Sequence, residues 1–152
     1  MPELTPAALR MILAKIERGA RSGTRTGLVG VAKLIADQAK TNASSGSHAY
    51  GTPTPARPGS GPAQISGTLK SSITSTTPGP TGVGWEIRVG LAPGKSPPYR
   101  KGRGATSSKY GSYLENGLKN GTKFPFLKPA TNLVHIQADV AFRKAFQTVK
   151  WS

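Results

Sequence analysis

The stretch from Gly90 to Ser96, GLAPGKS, is the part of this sequence that comes nearest to a chemical motif. It partly matches a phosphate-binding loop, in which backbone N–H groups surround phosphates, a lysine reaches the outer phosphates and a serine holds magnesium. Lys95 and Ser96 would fill the last two roles. The spacing is one residue short of the motif, and Pro97 and Pro98 follow where a helix must begin and donate its free N–H groups. The sequence therefore favours an ordinary loop over a nucleotide site.

Residues able to carry acid–base, thiol or metal chemistry are scarce. There is no cysteine, which excludes disulfides, thiolate metal ligands and thiol catalysis. The two histidines, His48 and His135, lie far apart, and the six carboxylates are not closely spaced along the chain. Zinc binding and general acid–base catalysis both need such groups in close sets. The sequence therefore predicts a protein without enzymatic activity and without a cofactor.

Positive charge is the strongest feature of the composition. Lysine and arginine total 21 against 6 acidic residues, a formal net charge of +15. This charge would attract nucleic acid, an acidic membrane surface or an acidic protein. A predicted loop at residues 95–109, with tyrosines at its edges, carries part of it. Its candidate contacts to DNA or to an acidic partner are Lys95, Arg100, Lys101, Arg103 and Lys109. The alternative is a solvated charge run that only maintains solubility, and the sequence leaves both open.

The length of 152 residues predicts one domain, residues 1–152, with a modest hydrophobic core. The stretch from Met1 to Leu4 lacks the basic and apolar segments of a secretory signal. Apolar runs also fall well short of the length of a membrane-spanning helix. We therefore expect a soluble protein that does not enter a membrane.

Helical patterns occupy the first 40 residues. A hydroxyl cap at Thr5, followed by Pro6, marks a helix start, and apolar residues then recur at helical spacing as far as Ile16. The segment GARSGTRTG, residues 19–27, interrupts the pattern with three glycines spaced four apart. A clean apolar face resumes at residues 28–39. The two segments form either one helix with a weak middle or two helices joined by a turn.

Loops and short strands are predicted in the middle of the chain. Residues 41–64 form a loop, because 15 of these 24 residues are Gly, Pro, Ser or Thr. Strand patterns at residues 69–76 and 85–91 are separated by turn residues, which predicts a β-hairpin. The stretch YGSYLENG, residues 110–117, is predicted to be a short strand or turn.

A last helix is predicted after Pro129, running to about Lys150. Its wide apolar face consists of Val134, Ala138, Ala141, Phe142, Ala145 and Val149. A second, narrower apolar seam consists of Leu133, Ile136 and Val140, and these three are the candidate subunit interface. The seam either faces the same core or is exposed in the monomer and buried against a neighbouring subunit. Together the elements predict an α+β fold, in which N-terminal helical segments and a C-terminal helix pack on a small antiparallel β-sheet, with long Gly/Pro-rich loops.

Three short motifs occur in order along the chain. They are ISGTLKSSI at residues 65–73, YLENG at 113–117 and FPFLKPA at 124–130. In this order, between an amphipathic helix and a terminal helix, they resemble the tail-completion, or head–tail connector, family of long-tailed double-stranded-DNA bacteriophages. The matching residues are Ser66, Gly67, Leu69, Ser72, Ile73, Tyr113, Glu115, Gly117, Pro125, Phe126, Leu127, Pro129 and Ala130. Ser66 stands where the family usually has threonine, and Asn116 where it usually has an aromatic residue.

The resemblance implies a non-enzymatic virion protein that forms a ring, commonly of six subunits, in the neck between head and tail. Its expected partners are other copies of itself, the neighbouring neck and tail proteins (the head-closure or stopper protein and the tail terminator) and DNA in the channel. Its expected location is the virion, and the host cytoplasm during assembly. A closed ring needs two different patches on each subunit. The seam on the last helix and the loop at residues 41–64 are our candidates for these patches. The rival interpretation is a stand-alone basic nucleic-acid-binding protein.

Overall fold

The computed structural model describes residues 5–46, 57–64, 67–92 and 106–151. In chain order, the elements in these ranges are helices α1 (Pro6–Asn42) and α2 (Thr68–Ser72), strands β1 (Ile73–Ser75), β2 (Gly79–Thr81), β3 (Gly84–Glu86) and β4 (Val89–Leu91), and helices α3 (Ser107–Asn116), α4 (Leu127–His135) and α5 (Ala138–Gln147). The strands pair in two small antiparallel sheets. This is the α+β fold class that the sequence predicts.

The two helical patterns at the N-terminus form one continuous helix, α1, of 37 residues. At 1.5 Å per residue it is about 55 Å long. It begins as predicted, with the Thr5 hydroxyl oxygen accepting a hydrogen bond from the N–H of Ala8 at 3.2 Å and with Pro6 in the first turn. Its end lies slightly beyond the predicted one, since Thr41 and Asn42 belong to the helix rather than to the loop.

Strand pairing confirms the predicted hairpin and corrects its bounds. Ile73 of β1 lies opposite Leu91 of β4, and Gly79 of β2 lies opposite Glu86 of β3. Between the two ladders the N–H of Thr76 donates to the carbonyl of Arg88 at 2.8 Å. Three residues, 76–78, face two residues, 87–88, which is a bulge in the first strand. The bulge divides the strand predicted at 85–91, and the start of the strand predicted at 69–76 is the helix α2.

Helix α3 replaces the strand or turn predicted at residues 110–117, and the loop predicted at 95–109 therefore ends earlier than expected. Glycine and serine give this segment low helix propensity, which is why the sequence did not predict a helix. Tertiary packing overrides the propensity, because Gly111 lets the side chain of Leu91 approach the helix backbone closely. The helix ends at Gly117, whose φ of 129° lies in a region that glycine adopts readily.

The single helix predicted after Pro129 is two helices. Helix α4 begins two residues earlier, at Leu127, and a turn at residues 136–137 separates it from α5. In that turn the N–H of Gln137 donates to the carbonyl of Val134 at 2.8 Å. The apolar periodicity continues across the turn, so the sequence pattern alone did not reveal the break.

The hydrophobic core lies where the C-terminal half of α1 meets the hairpin, α3 and α4. Its buried residues are Ala36, Ala39, Ala43, Ile73, Leu114, Phe124, Phe126 and Ala130. Ala36 and Ala39 on α1, and Ala43 directly after it, leave room for the other elements to approach this helix closely. Within the described ranges, no helix has both the length and the hydropathy that crossing a membrane requires.

Candidate functional site

The three sequence motifs meet in the core. Ile73 from the first, Leu114 from the second and Phe126 and Ala130 from the third are all buried in one cluster. Leu69 and Leu127 pack against this cluster from its edge. Ile73 lies 41 positions before Leu114, and Phe126 lies 12 positions after it, yet all three pack in the same small volume.

Glu115 joins the second motif to the third by hydrogen bonds. One carboxylate oxygen accepts from the backbone N–H groups of Phe126 and Leu127 at 2.9 and 3.0 Å, and the other accepts from Lys128 at 2.7 Å. These N–H groups open α4 and have no partner within the helix. Phe126, the residue that precedes the helix, provides no side-chain cap of its own. Glu115 therefore fixes the end of α3 to the start of α4, with its negative charge at the positive end of the helix dipole.

Other motif residues shape the backbone around this cluster. Gly67 and Gly117 both have positive φ angles, 72° and 129°. Ser72 is fully buried, and its hydroxyl donates to the carbonyl of Leu69 at 2.7 Å. Of the remaining motif positions, Pro125 is half-buried, Pro129 and Tyr113 are exposed, and Ser66 lies outside the described residues. Most of the motif residues therefore act inside the subunit.

The ends of the predicted loop at 41–64 are held in place. Gly46 and Ala63 form a parallel bridge, and the N–H of Gly59 donates to the carbonyl of Lys123 at 2.9 Å. The side-chain amide of Asn42 donates to the carbonyl of Phe126 at 3.0 Å. Residues 47–56, the middle of this candidate interface loop, lie outside the described residues.

The three glycines of GARSGTRTG form a buried groove along α1, which holds aromatic rings from the C-terminal segment. A Cβ at Gly19 would lie 2.6 Å from the ring of Trp151, and one at Gly23 would lie 2.8 Å from the ring of Phe146. A Cβ at Gly27 would overlap the ring of Phe142. The glycines are therefore a packing surface, and the segment that the sequence left open as a weak middle or a turn is the place where aromatic rings of the C-terminal segment pack on α1. The signal in the sequence was their spacing of four, which places them on one helix face.

An apolar stripe on α1 continues this face beyond the end of α5. We call it the arm stripe, and it consists of Leu9, Ile12, Leu13 and Ile16. These side chains are between 44% and 55% exposed. At 100° per residue they lie on the same side of the helix as the three glycines. The C-terminal segment covers this face of α1 from Gly19 onward, and among the described residues the face is exposed over the preceding turns.

A second apolar surface is an open groove of about 560 Å³ between α1 and α5. We call it the α1/α5 groove. Its lining includes Gly30 and Leu34 of α1 and Val140, Ala141 and Ala145 of α5. Val140 also belongs to the predicted seam, whose members Leu133, Ile136 and Val140 are 49%, 79% and 62% exposed. Of the two alternatives left open by the sequence, the structure shows the seam exposed in the monomer.

The basic loop predicted to contact DNA is mostly outside the described residues. This holds for Lys95, Arg100, Lys101 and Arg103, whereas Lys109 is exposed on α3. The segment GLAPGKS also lies partly outside the described residues. Gly90 belongs to β4, whereas residues 93–96 are not described. In the described ranges, no group of three or more histidines and carboxylates lies close enough together to hold a metal ion.

A basic face on α1 is the feature that sequence reasoning missed. Arg10, Arg18, Arg21 and Arg25 lie on the side of the helix opposite the arm stripe, by the same count of 100° per residue. The guanidinium of Arg25 also lies over the ring of Trp85, 5.9 Å from its centre. A polar pocket of about 520 Å³ nearby is lined by Lys15, Arg18 and Lys150, among others. The spacing of the arginines along the predicted helix could have revealed this face from the sequence.

Ion pairs neutralise only a small part of the protein's positive charge, which is +15 in net. The pairs within the described residues are exposed, and three of them join residues four apart on a helix. One is Lys33 with Asp37 at 2.5 Å, where the hydrogen bond from Lys33 lowers the pKa of Asp37 below its usual value. Such surface pairs contribute a few tenths of a kcal/mol each. The positive charge therefore remains available to a partner.

Comparison with known proteins adds no assignment: no protein-family model, curated protein or solved structure matches this chain. The likeness to phage connector proteins therefore depends on the three motifs.

Proposed function

We propose that this protein is a structural component of the neck of a long-tailed phage, a ring-forming tail-completion protein that joins the tail to the DNA-filled head. The observation that carries the proposal is the meeting of the three motifs. The carboxylate of Glu115 binds the N–H groups of the FPFLKPA segment, and Ile73 packs in the same cluster as Phe126. The three segments therefore form one packed unit, which supports treating them as a single pattern.

Exposed apolar surfaces support a ring. A subunit of a closed ring needs two different patches, one for each neighbour. The arm stripe and the α1/α5 groove are two such surfaces on different parts of the chain. The likeness to the family suggests six copies. Its other expected neighbours are the head-closure or stopper protein and the tail terminator.

The basic face of α1 has a use in such a ring. DNA leaves the head through the neck, and a positively charged surface there would lie beside phosphates or against acidic surfaces of neighbouring proteins. The protein would act in the virion neck and would be found in the host cytoplasm during assembly. Neither role needs a catalytic residue or a cofactor.

A stand-alone nucleic-acid-binding protein is the second candidate, and the basic face of α1 is the observation that favours it. A salt titration of DNA binding separates the two, because affinity that depends on several phosphate contacts falls steeply as salt rises. A chain that remains monomeric, binds no neck protein and binds DNA with such a slope would be this second kind of protein. Assembly of the chain with itself or with neck proteins supports the connector role.

Nucleotide hydrolysis is a third possibility, raised only by GLAPGKS. It would require an activity that Lys95→Ala abolishes, and we expect the purified chain to show none.

A further inference from the structure

We propose that the polar pocket between α1 and the residues after α5 is a phosphate-binding site that holds the backbone of double-stranded DNA. We call it the basic pocket. The residues that give it cations or hydroxyl groups are Lys15, Arg18, Ser22, Thr26, Thr148 and Lys150. In the proposed function the positive charge meets either DNA or an acidic protein, and the pocket favours DNA. Only the source of that DNA, a phage head, rests on the proposed function.

The fold gathers cations in this pocket that lie far apart in the sequence. Lys15, Arg18 and Ser22 are spaced three and four apart, so they lie on one side of α1. Lys150 comes from the segment after α5, and the ring of the next residue, Trp151, packs on the first glycine of the α1 groove. This packing places Lys150 beside two cations that are more than 130 positions earlier in the chain.

The carboxylates of the described residues are engaged elsewhere. Each of four pairs with a lysine or arginine that does not line the pocket, and these four are Glu17, Asp37, Glu86 and Asp139. The fifth, Glu115, accepts hydrogen bonds from the start of α4. Among the described residues, the three cations of the pocket therefore have no counter-charge. Like charges held together repel each other, and a bound anion offsets that repulsion.

The donors that line the pocket suit a phosphate group. The Nε–H of Arg18 donates to the carbonyl of Ala14 at 3.3 Å, which leaves the outer nitrogens of the guanidinium to donate to a ligand. The hydroxyl groups of Ser22 and Thr26 lie on the same wall. Arginine, lysine and hydroxyl donors are the groups that bind phosphate oxygens of DNA. The volume of about 520 Å³ exceeds that of one phosphate, so a phosphate can enter as part of a polymer.

The basic face of α1 extends from the pocket in both directions along the helix. Arg10 and Arg25 lie about 12 Å and 10 Å along the helix axis on either side of Arg18, at 1.5 Å per residue. The row therefore spans about 22 Å, the rise of about six base pairs of a duplex. A straight row of cations matches the evenly spaced phosphates of DNA, and guanidinium groups bind phosphate by two parallel hydrogen bonds. Carboxylates on an acidic protein lack this regular spacing.

A membrane of anionic lipid fits the same surface less well. A helix that lies in a membrane surface buries its apolar face, and its cations reach the headgroups from the flanks of that face. On α1 the arm stripe and the row of arginines lie on opposite sides of the helix. Burial of the stripe would therefore turn the arginines away from the headgroups. DNA is the polyanion that this arrangement favours.

Binding of a short fluorescent DNA duplex, followed by anisotropy over a series of salt concentrations, tests the site. The test variant is Lys15→Gln/Arg18→Gln/Lys150→Gln. We expect it to bind at least about tenfold more weakly than the wild-type chain at low salt. The slope of log affinity against log salt should become shallower by about two to three, because each phosphate contact contributes close to one. Two duplexes of equal length and different sequence should behave alike, since backbone contacts carry no sequence information.

The matched control loses the same charge at another place on the molecule. Its variant is Lys119→Gln/Lys123→Gln/Lys128→Gln, and these lysines are exposed around the start of α4. They flank the core cluster at Ala39, about 30 Å along α1 from Arg18. The control should keep the wild-type slope and an affinity within about threefold, because salt screens charges at that distance. The melting temperatures of both variants confirm that they are folded.

A second pair of variants adds a carboxylate without removing a cation. Ser22→Asp places a negative charge in the pocket, and we expect it to weaken binding of the duplex about tenfold or more. Thr24→Asp makes the same change two residues later, on a different side of α1, and should weaken binding far less. Equal losses for these two variants would contradict the proposal.

Other outcomes also overturn the site. Equal losses from the pocket variant and the lysine control would mean that the charge acts diffusely. Binding of polyglutamate as tightly as the duplex at equal salt would identify an acidic protein as the partner. A wild-type chain that binds vesicles of anionic phospholipid and fails to bind the duplex at low salt would identify a membrane.

Failure of this site and failure of the proposed function are distinguishable. Suppose that phage heads and tails need the protein to join, yet the pocket variant binds DNA as the wild-type chain does. The site would then be wrong and the neck role would stand. DNA binding through the pocket by a protein whose loss leaves phage particles joined would retain the site and remove the neck role.

Discussion

Glu115 shows how one side chain can hold a motif together. The segment FPFLKPA begins α4 without a polar cap of its own, and Glu115 supplies it from α3. The sequence identified Glu115 only as a motif position, because its hydrogen-bond partners lie 11 to 13 residues further along the chain. Sequence patterns reveal caps within three or four residues, and this cap depends on the fold.

Replacement of Glu115 should therefore lower the free energy of unfolding. We expect Glu115→Ala to cost about 1–3 kcal/mol, since it leaves three N–H groups without their acceptor. Glu115→Gln keeps one acceptor oxygen and should cost less. Urea denaturation measures both. Glu17→Ala, which removes only an exposed pair with Arg21, is the control and should cost a few tenths of a kcal/mol at most. Equal losses for Glu115→Ala and Glu17→Ala would refute the capping role.

Two glycines of α1 should respond in opposite ways to alanine. In an open helix position, glycine to alanine stabilises by about 1 kcal/mol. Gly30→Ala should do so, because its Cβ would lie at an ordinary 3.6 Å from the Cβ of Ala141. Gly27→Ala should destabilise, because its Cβ would overlap the ring of Phe142. Thermal unfolding of the two variants, and of Gly27→Ala/Phe142→Ala, checks this. Stabilisation by Gly27→Ala would mean that Phe142 of α5 does not pack directly on Gly27 of α1.

Phe126 should be among the most costly side chains to truncate. It is fully buried, so Phe126→Ala should lose about 3–5 kcal/mol of the free energy of unfolding. Val83→Ala, at the fully exposed tip of the hairpin, is the comparison and should change little. Both are measured by urea denaturation. A loss below about 1 kcal/mol for Phe126→Ala would contradict its place at the centre of the core.

At the scale of elements, the sequence predicted those helices and strands that depend on patterns of neighbouring residues. Apolar spacing and the cap at Thr5 placed α1, and alternation around turn residues placed the hairpin. The missed features depend on contacts distant in sequence. Helix α3 forms despite its glycine and serines because Leu91 packs on Gly111, and the glycine segment stays helical because α5 lies against it. The turn between α4 and α5 lies within an unbroken apolar pattern.

The first turns of α1 should be dispensable for folding and required for assembly. In the described chain, the side chains from Leu9 to Arg18 are exposed. Deletion of residues 1–16 should therefore leave the melting temperature of the monomer nearly unchanged, while sedimentation shows that self-association is lost. The control is Trp151→Ala, which removes the ring packed on Gly19 and should lower the melting temperature. A large loss of stability in the deletion variant would assign the arm a role in folding.

At the scale of the whole molecule, the sequence left open whether the seam faces the core or is exposed in the monomer and buried against a neighbouring subunit. The structure shows its side chains exposed in the monomer, and their burial against a neighbour stays a prediction. The sequence did not predict the exposed arm stripe, because the exposure of this face of α1 depends on how far the C-terminal segment extends along the helix. It also overlooked the basic face of α1, whose arginines are separated by other residues in the chain but aligned on the helix. The proposed role in the neck gives each of these surfaces a partner: a neighbouring subunit for the apolar surfaces, and DNA or an acidic protein for the basic face.

The central claim is that a phage encodes this protein and needs it to join heads to tails. The most direct test is to delete the gene from that phage and to examine the lysate by electron microscopy. The connector role predicts DNA-filled heads and separate, complete tails, with joined particles restored when the protein is supplied from a plasmid. Normal joined particles in the absence of the protein would contradict it.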